Sequence, residues 1–260
     1  MTAPVTLDIQ NGIATICFDR PDRMNVIDVE MAQAFEAAVV RSLKDRSVRV
    51  ITLTGNGHCF MAGGDLAAFR ASDDKSALAR AIIEPMHRAI IALAAAPQIS
   101  VAGIHGPVAG AGMSLALATD LCIAAEGTSL NLAYQKVAAP ADCGATWALP
   151  RIVGHRKALE IALLSEAIDA AEAFRLGIVN RIVPVDKLAV EMESLAMRLA
   201  AGPGKAQGQV KSLIRNSLKH GLAEQLDTEC TAFADCAASA DFAEALEAFF
   251  GRRTPKFTGC

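Results

Sequence analysis

Apolar and polar residues alternate over Val5–Ile9 and again over Ile13–Phe18, with Asn11-Gly12 between the two runs. Alternation of period two on either side of an Asn-Gly pair predicts a β-hairpin, since these residues accept the positive φ of a tight turn. After the loop Arg20–Asn25 the period changes. Met31, Phe35, Val39 and Leu43 recur at the spacing of one helix face, and Asp28 stands where an N-cap is needed. Val48–Thr54 reads as a buried strand and runs out into the small-residue loop Gly55–Leu66, in which Asp65 can cap a short helix. Ala77–Ala96 is a long helical pattern with Pro85 allowing a kink, followed by strands at Ile99–Ile104 and Leu121–Ala125. Between those strands lies His105–Asp120, where a strand meets a helix across Gly110, Ala111 and Gly112. Strands alternating with helices across glycine-rich junctions predict an α/β fold.

The chain then runs from Ser129 through Tyr134, Lys136 and Pro140 to Asp142–Arg151, and helical patterns take over at His155–Leu164, Ala170–Leu176 and Val185–Ala201. Ala201-Gly202-Pro203-Gly204 is the best boundary, dividing residues 1–201 from a helical region, 202–260. In that second region Lys205–Asn216, Leu222–Ala237 and Asp241–Phe250 have apolar faces but too few residues for a core of their own. They are expected to pack on the body or on a neighbouring subunit.

Composition narrows the function. With 260 residues, 52% of them hydrophobic and 20% charged, the chain is globular, and a net charge of −3 gives no electrostatic case for nucleic acid or an anionic membrane. Seven cysteines lack any CxxC pair or regular spacing, which fits a reduced cytoplasmic setting, and no metal site is expected. Met1–Gln10 has no leader-like pattern and no apolar run reaches membrane-spanning length, so a soluble intracellular protein is expected.

The stretch His105–Asp120 carries the chemistry. Small residues at a strand-to-helix junction let backbone approach a ligand, and the first N–H groups of the helix point at whatever lies there. An oxygen that gains negative charge during a reaction is stabilised at such a place. The same composition also serves a tight packing turn. It is not a dinucleotide fingerprint, because Leu115 stands where a third glycine would be, and no Gly-Lys-Ser/Thr follows.

Three segments taken together extend this reading: Phe60–Leu66, Gly106–Gly112, and Ala170-x-Glu172-Ala173 with Leu176–Asn180. Their combination resembles the enoyl-CoA hydratase/isomerase (crotonase) family, and the likeness covers nearly the whole chain, including Phe250–Arg253 and Pro255-Lys256-Phe257. The resemblance implies a spiral of ββα turns with a C-terminal helical part that trimerises, as a homotrimer or a dimer of trimers. It implies an acyl-CoA thioester as substrate, whose carbonyl oxygen accepts the backbone N–H groups of Gly64 and Ala111. Coenzyme A then belongs to the substrate and no separate cofactor is expected. By the same likeness Arg23 faces CoA phosphates, and Ala62, Gly63, Asp65 and Leu66 follow the adenine–pantetheine bend. Lys256, or Arg252 nearby, reaches a phosphate across a subunit interface, and His87, Met113, Ser114 and Tyr134 line the acyl pocket. For Asp65, helix capping is expected to be the main task.

The chain departs from the family's hydratases. They carry two glutamates where Ser114 and Tyr134 stand here, and a hydroxyl and a phenol are poor bases at neutral pH. The carboxylate that remains is Asp142, in a stretch resembling family members that shift double bonds, where an aspartate at this place is the base. Asp142 is therefore expected to carry a 1,3-proton shift, unless it is only a loop residue capping the next helix. Three other readings stay open: hydration; dehalogenation in the manner of 4-chlorobenzoyl-CoA dehalogenases, with Asp142 as nucleophile and a histidine matched by His87; and CoA binding without catalysis. Cys143 is read as small filler, with no histidine placed in sequence to pair with it.

Overall fold

The computed structural model describes residues 3–259. The hairpin forms as expected: β1 (Val5–Gln10) pairs antiparallel with β2 (Ile13–Phe18), and both Asn11 and Gly12 take positive φ, 52° and 78°. β2 then pairs in parallel with β3 (Val50–Gly55), which pairs with β4 (Ile99–Ile104), then β6 (Leu121–Ala125) and β9 (Arg181–Val183). A second, smaller sheet holds β5 (Pro107–Ala109), β7 (Ser129–Asn131) and β8 (Ile168–Asp169), none of which the hydrophobic pattern announces. Single bridges, Ile27 with Gly64 and Met61 with Val108, extend this second layer. Each turn of chain leaves the large sheet, touches the second layer and returns through a helix. That is a spiral of ββα turns.

The helices cover both faces of the large sheet. Ile51, Leu53, Ala102 and Ile104 point to the main core with Phe18, Phe60 and the inner residues of α1 (Val29–Lys44) and α3 (Lys75–Ala95). Their sequence neighbours Val50 and Val101 point the other way, onto Met192, Leu195 and Ala196 of α8 (Leu188–Ala200). This is the period-two alternation of a strand buried on both sides. Asp28 caps α1 through Met31 N at 2.9 Å, and α3 runs through Pro85 as one helix. The remaining helices of the body are α2 (Leu66–Ala71), α4 (Ala111–Ala118), α5 (Ala145–Val153), α6 (His155–Leu164) and α7 (Ala170–Arg175). α5 is the one long element absent from the expected pattern.

Beyond Ala201 the chain forms α9 (Gly204–Asn216), α10 (Leu222–Ala237) and α11 (Ala240–Phe250), which bury few side chains. α9 is fastened to the body by charge. The buried Lys211 and the part-buried Arg215 both reach Asp120, at 2.9 and 2.6 Å, while Asp120 also accepts from Ser100 N at 2.8 Å. Among the described residues no helix is long and apolar enough to cross a membrane.

Candidate active site

Two loops leave the C-terminal ends of β3 and β4, and their close approach builds the site. The segment after β2 runs alongside the first loop: Ala62 N donates to Met24 O, Ile27 N to Gly63 O, and Asp65 N to Ile27 O, at 3.1, 2.8 and 2.9 Å. The N–H of Gly64 lies in the middle of this exchange and has no acceptor among the described residues. Next, Ala109 N donates to Met61 O at 3.1 Å, pulling the second loop against the first. Glycine is required here. A Cβ on Gly112 would stand 2.2 Å from Met61 O, and Gly110 holds φ 52° with ψ −124°, a conformation that L side chains avoid. Gly110 N is taken by Asn131 O at 2.9 Å, and the next N–H, that of Ala111 at the start of α4, has no acceptor among the described residues. Two adjacent loops thus each present one unpaired backbone N–H, at Gly64 and Ala111.

One helical turn beyond Ala111, the fully buried Ser114 places its Oγ 3.2 Å from Gly110 O and 3.0 Å from the hydroxyl of Tyr134. That hydroxyl donates to Oδ1 of Asp142. Burial first, then the neighbouring Asp142 charge, pushes the phenol of Tyr134 far above its ordinary 10.0, so it stays a donor. Oδ2 of Asp142 receives no N–H or O–H from the described residues. Among the described residues Asp142 is the only acid in this group, with Oδ1 tethered by Tyr134.

The loop carrying Asp142 is held by its backbone. Gly144, with φ 81°, takes the N-cap position of α5, and no side chain caps that helix. Asp142 is therefore not a helix cap. It contributes only its carbonyl to Ala145 N, at 3.1 Å. Cys143 sits at φ 50°, and its N–H donates to Nε2 of His87 on α3 at 3.2 Å. A histidine is thus close to Cys143, which sequence spacing does not reveal, but it meets the backbone rather than the sulfur. Burial, with Asp142 alongside, pushes the Cys143 thiol far up and keeps it protonated.

The enoyl-CoA hydratase/isomerase family model matches residues 8–260. The chain belongs to the enoyl-CoA hydratase/isomerase family. It is 36% identical over 256 residues to a Rhodobacter capsulatus protein named as a probable enoyl-CoA hydratase, covering 98% of each chain. It is 32% identical over 253 residues to the 1,2-epoxyphenylacetyl-CoA isomerase of Escherichia coli, covering 96% of this chain and 97% of that protein. A 4-chlorobenzoyl-CoA dehalogenase of an Arthrobacter species is 31% identical over 229 residues, 87% of this chain and 81% of that protein. Among solved structures, the enoyl-CoA hydratase of Bacillus anthracis superposes with a TM-score of 0.93 at 28% identity, over 99% of this chain and 100% of that one. The fold is the crotonase-type spiral of that family.

Of the residues expected to contact CoA, Ala62, Gly63, Asp65 and Leu66 lie on the first loop and at its end, and Arg23 lies on the segment after β2 that runs beside it. Arg23, half exposed, pairs with Asp65 and lies 3.7 Å from Asp28. Asp65 itself is buried and caps α2 through Ala67 N and Ala68 N at 3.0 and 3.1 Å, the task expected of it. Ala62 and Gly63 continue the same edge, and Leu66 projects into solvent. Lys256 stands apart. It is exposed on the C-terminal tail, its N–H bound to Glu244 at 2.8 Å, and none of its contacts is with this loop. Met113 is fully buried in the main core and presents no open surface. A cavity of about 1220 Å³ lies elsewhere, between the Asn11-Gly12 turn, the end of α3 and α9, and none of the candidate site residues named above lines it.

Two supporting residues escape sequence reasoning. Asn25 is buried at φ 53°, and its amide donates to the carbonyls of Asn56, Cys59 and Phe60 at 2.9 to 3.1 Å while Arg20 N donates back at 2.8 Å. Asn131 ties β7 to the second loop through its carbonyl, and its side chain reaches Ser165 O at 2.8 Å. Asparagine tolerates positive φ and offers donors and acceptors together, so the asparagine closing the Arg20–Asn25 loop was the available signal, whereas Asn131, at the end of β7, gave none.

Proposed function

We propose that this protein shifts a carbon–carbon double bond in an enoyl-CoA thioester, with Asp142 moving the proton. The observation that carries the reading is the carboxylate itself. Asp142 is linked through the Tyr134 hydroxyl, which donates to its Oδ1, to Ser114, one turn of helix beyond Ala111. In a 3-enoyl thioester, Oδ2 removes a proton from C2, and the released electron pair spreads through the double bond to the thioester oxygen. The N–H groups of Gly64 and Ala111 stabilise that oxygen; one donor in such a hole is worth roughly 3–4 kcal/mol. Asp142 then returns the proton at C4, giving a 2-enoyl thioester of unchanged mass. A single carboxylate suffices, and no cofactor beyond the substrate's own CoA is called for.

Hydration asks for more. It needs a group to activate water and a donor for the α-carbon, the work of the glutamate pair that Ser114 and Tyr134 replace. A serine hydroxyl and a phenol pushed far above 10.0 accept no proton at neutral pH. The coenzyme is read as lying along Arg23, Ala62, Gly63, Asp65 and Leu66, where the guanidinium supplies charge for a phosphate. The apolar faces of α9–α11 fit assembly as a trimer or a dimer of trimers, which would also bring a neighbour's Lys256 toward the coenzyme.

His87 beside the Asp142 loop favours a second reading, nucleophilic attack by Asp142 on a halogenated aroyl-CoA, since an Arthrobacter relative bears a dehalogenase name. One experiment separates the three reactions: incubation with saturated, 2-enoyl, 3-enoyl and aromatic acyl-CoAs, followed by product mass and ultraviolet spectrum. Isomerisation keeps the mass, hydration adds a water, and dehalogenation exchanges halide for hydroxyl. Conversion of a 3-enoyl-CoA without mass change is expected. Rapid hydration of a 2-enoyl-CoA as the main activity would overturn the proposal.

A further inference from the structure

The loop that carries Asp142 runs through left-handed backbone. Two consecutive residues, Cys143 and Gly144, hold positive φ of 50° and 81°, and the first of them has a side chain that disfavours this region. Such a conformation persists only where its surroundings over-determine it. The Tyr134 hydroxyl holds the carboxylate, and Ala145 N holds the Asp142 carbonyl. The remaining tie is the Cys143 N–H, and its acceptor comes from a different part of the fold: Nε2 of His87, on α3, at 3.2 Å.

We infer that His87 is a positioning residue for Asp142, its imidazole held as the Nδ1–H tautomer by the Cys143 N–H. This rests on the isomerase reading above and adds a role to it. A neutral imidazole has one donor nitrogen and one acceptor nitrogen. With the Nε2 lone pair committed to Cys143, the ring proton resides on Nδ1. His87 therefore acts on the reaction only through the carboxylate next to the residue it pins. If the tie is lost, Cys143 is released from positive φ and Oδ2 moves relative to the Gly64 and Ala111 donors. A displacement of about 1 Å at a reacting group costs up to roughly 10²-fold in rate.

The test uses His87→Ala and His87→Gln in the full-length protein, the glutamine chosen because its amide oxygen can accept the same N–H. Three quantities are read: kcat and KM on a 3-enoyl-CoA, hydrogen exchange at the Cys143 amide, and the nitrogen chemical shifts of the His87 ring. In the wild type the expected results are a slowly exchanging Cys143 amide and ring shifts of an Nδ1–H tautomer. His87→Ala is expected to lower kcat by about 10–10²-fold with KM little changed, and to open the Cys143 amide to exchange. His87→Gln is expected to restore most of both. An Nε2–H tautomer overturns the inference. So does an unaltered kcat in His87→Ala, or a His87→Gln as impaired as His87→Ala while still folded. A wild type that is active when His87→Ala is equally active sinks the His87 role alone. A wild type inactive on every 3-enoyl-CoA overturns the isomerase reading, and the positioning role of His87 with it.

Discussion

Tyr134 is the only tyrosine in the chain, so its ionisation can be followed directly. The folded site favours the neutral phenol, through burial and then the Asp142 charge, whereas the unfolded chain releases the proton near 10.0. The folded state thus binds more protons than the unfolded state above that pH. The stability contributed is complete below pH 10 and declines as pH rises beyond it. Tyrosinate absorbance is expected to appear only as the protein unfolds in alkali, and a reversible tyrosinate signal near pH 10 in folded protein would contradict the arrangement. Asn25 supports the other side of the site. Asn25→Ala leaves the buried carbonyls of Cys59 and Phe60 without their donor, at a cost of about 1–3 kcal/mol in urea unfolding. Because those carbonyls fix the loop that carries Gly64, turnover is expected to fall as well. Neither residue's task was legible in the sequence. A polar side chain in a loop shows its partners only once the fold brings them near, and Ser114, Tyr134, Asp142 and His87 meet from four separate segments.

Among the elements, those that bury a face of their own were legible. β1 and β2 alternate, β3, β4 and β6 are apolar runs, and α1 and α3 repeat at helical spacing. β5, β7 and β8, of 3, 3 and 2 residues, carry too little pattern to register, and they form because neighbouring turns of the spiral offer partners. α5 was missed because it opens on Gly144 and contains Pro150, the two residues that ordinarily mark helix breaks. The attachment of α9 is likewise a tertiary fact. Burial opposes ionisation of Asp120, yet the charges of Lys211 and Arg215 hold its carboxyl below the ordinary 3.8. Its contribution is present above that value and is lost as pH falls through the carboxylate range. Asp120→Ala strands the buried ammonium of Lys211 and is expected to destabilise the protein by about 3–5 kcal/mol, read by urea unfolding. Asp120→Ala with Lys211→Met should recover much of that loss. A single variant as stable as the wild type would show that the clasp contributes little.

At the scale of the molecule, the helices beyond Ala201 expose Leu222, Phe233, Phe249 and Phe250, each more than two-thirds accessible in the single chain. Exposed apolar side chains of this kind are suited to contact with another chain. The trimer proposed above predicts sedimentation of a stable oligomer at micromolar concentration, with truncation after Ala201 yielding smaller, poorly soluble species. A persistent monomer would count against it. The family likeness was legible from the paired glycine-rich strand ends, because backbone donors need small residues whatever the substrate. The reaction is written instead in a few side chains around Asp142.

Replacing Asp142 with asparagine tests that most directly. Asp142→Asn keeps the size and the hydrogen bond from Tyr134 but cannot accept a proton, and the donors at Gly64 and Ala111 are untouched. Turnover of a 3-enoyl-CoA is expected to fall by about 10²–10⁴, in kcat rather than KM, with acyl-CoA binding nearly unchanged. An Asp142→Asn protein that is correctly folded and isomerises at the wild-type rate would contradict the account.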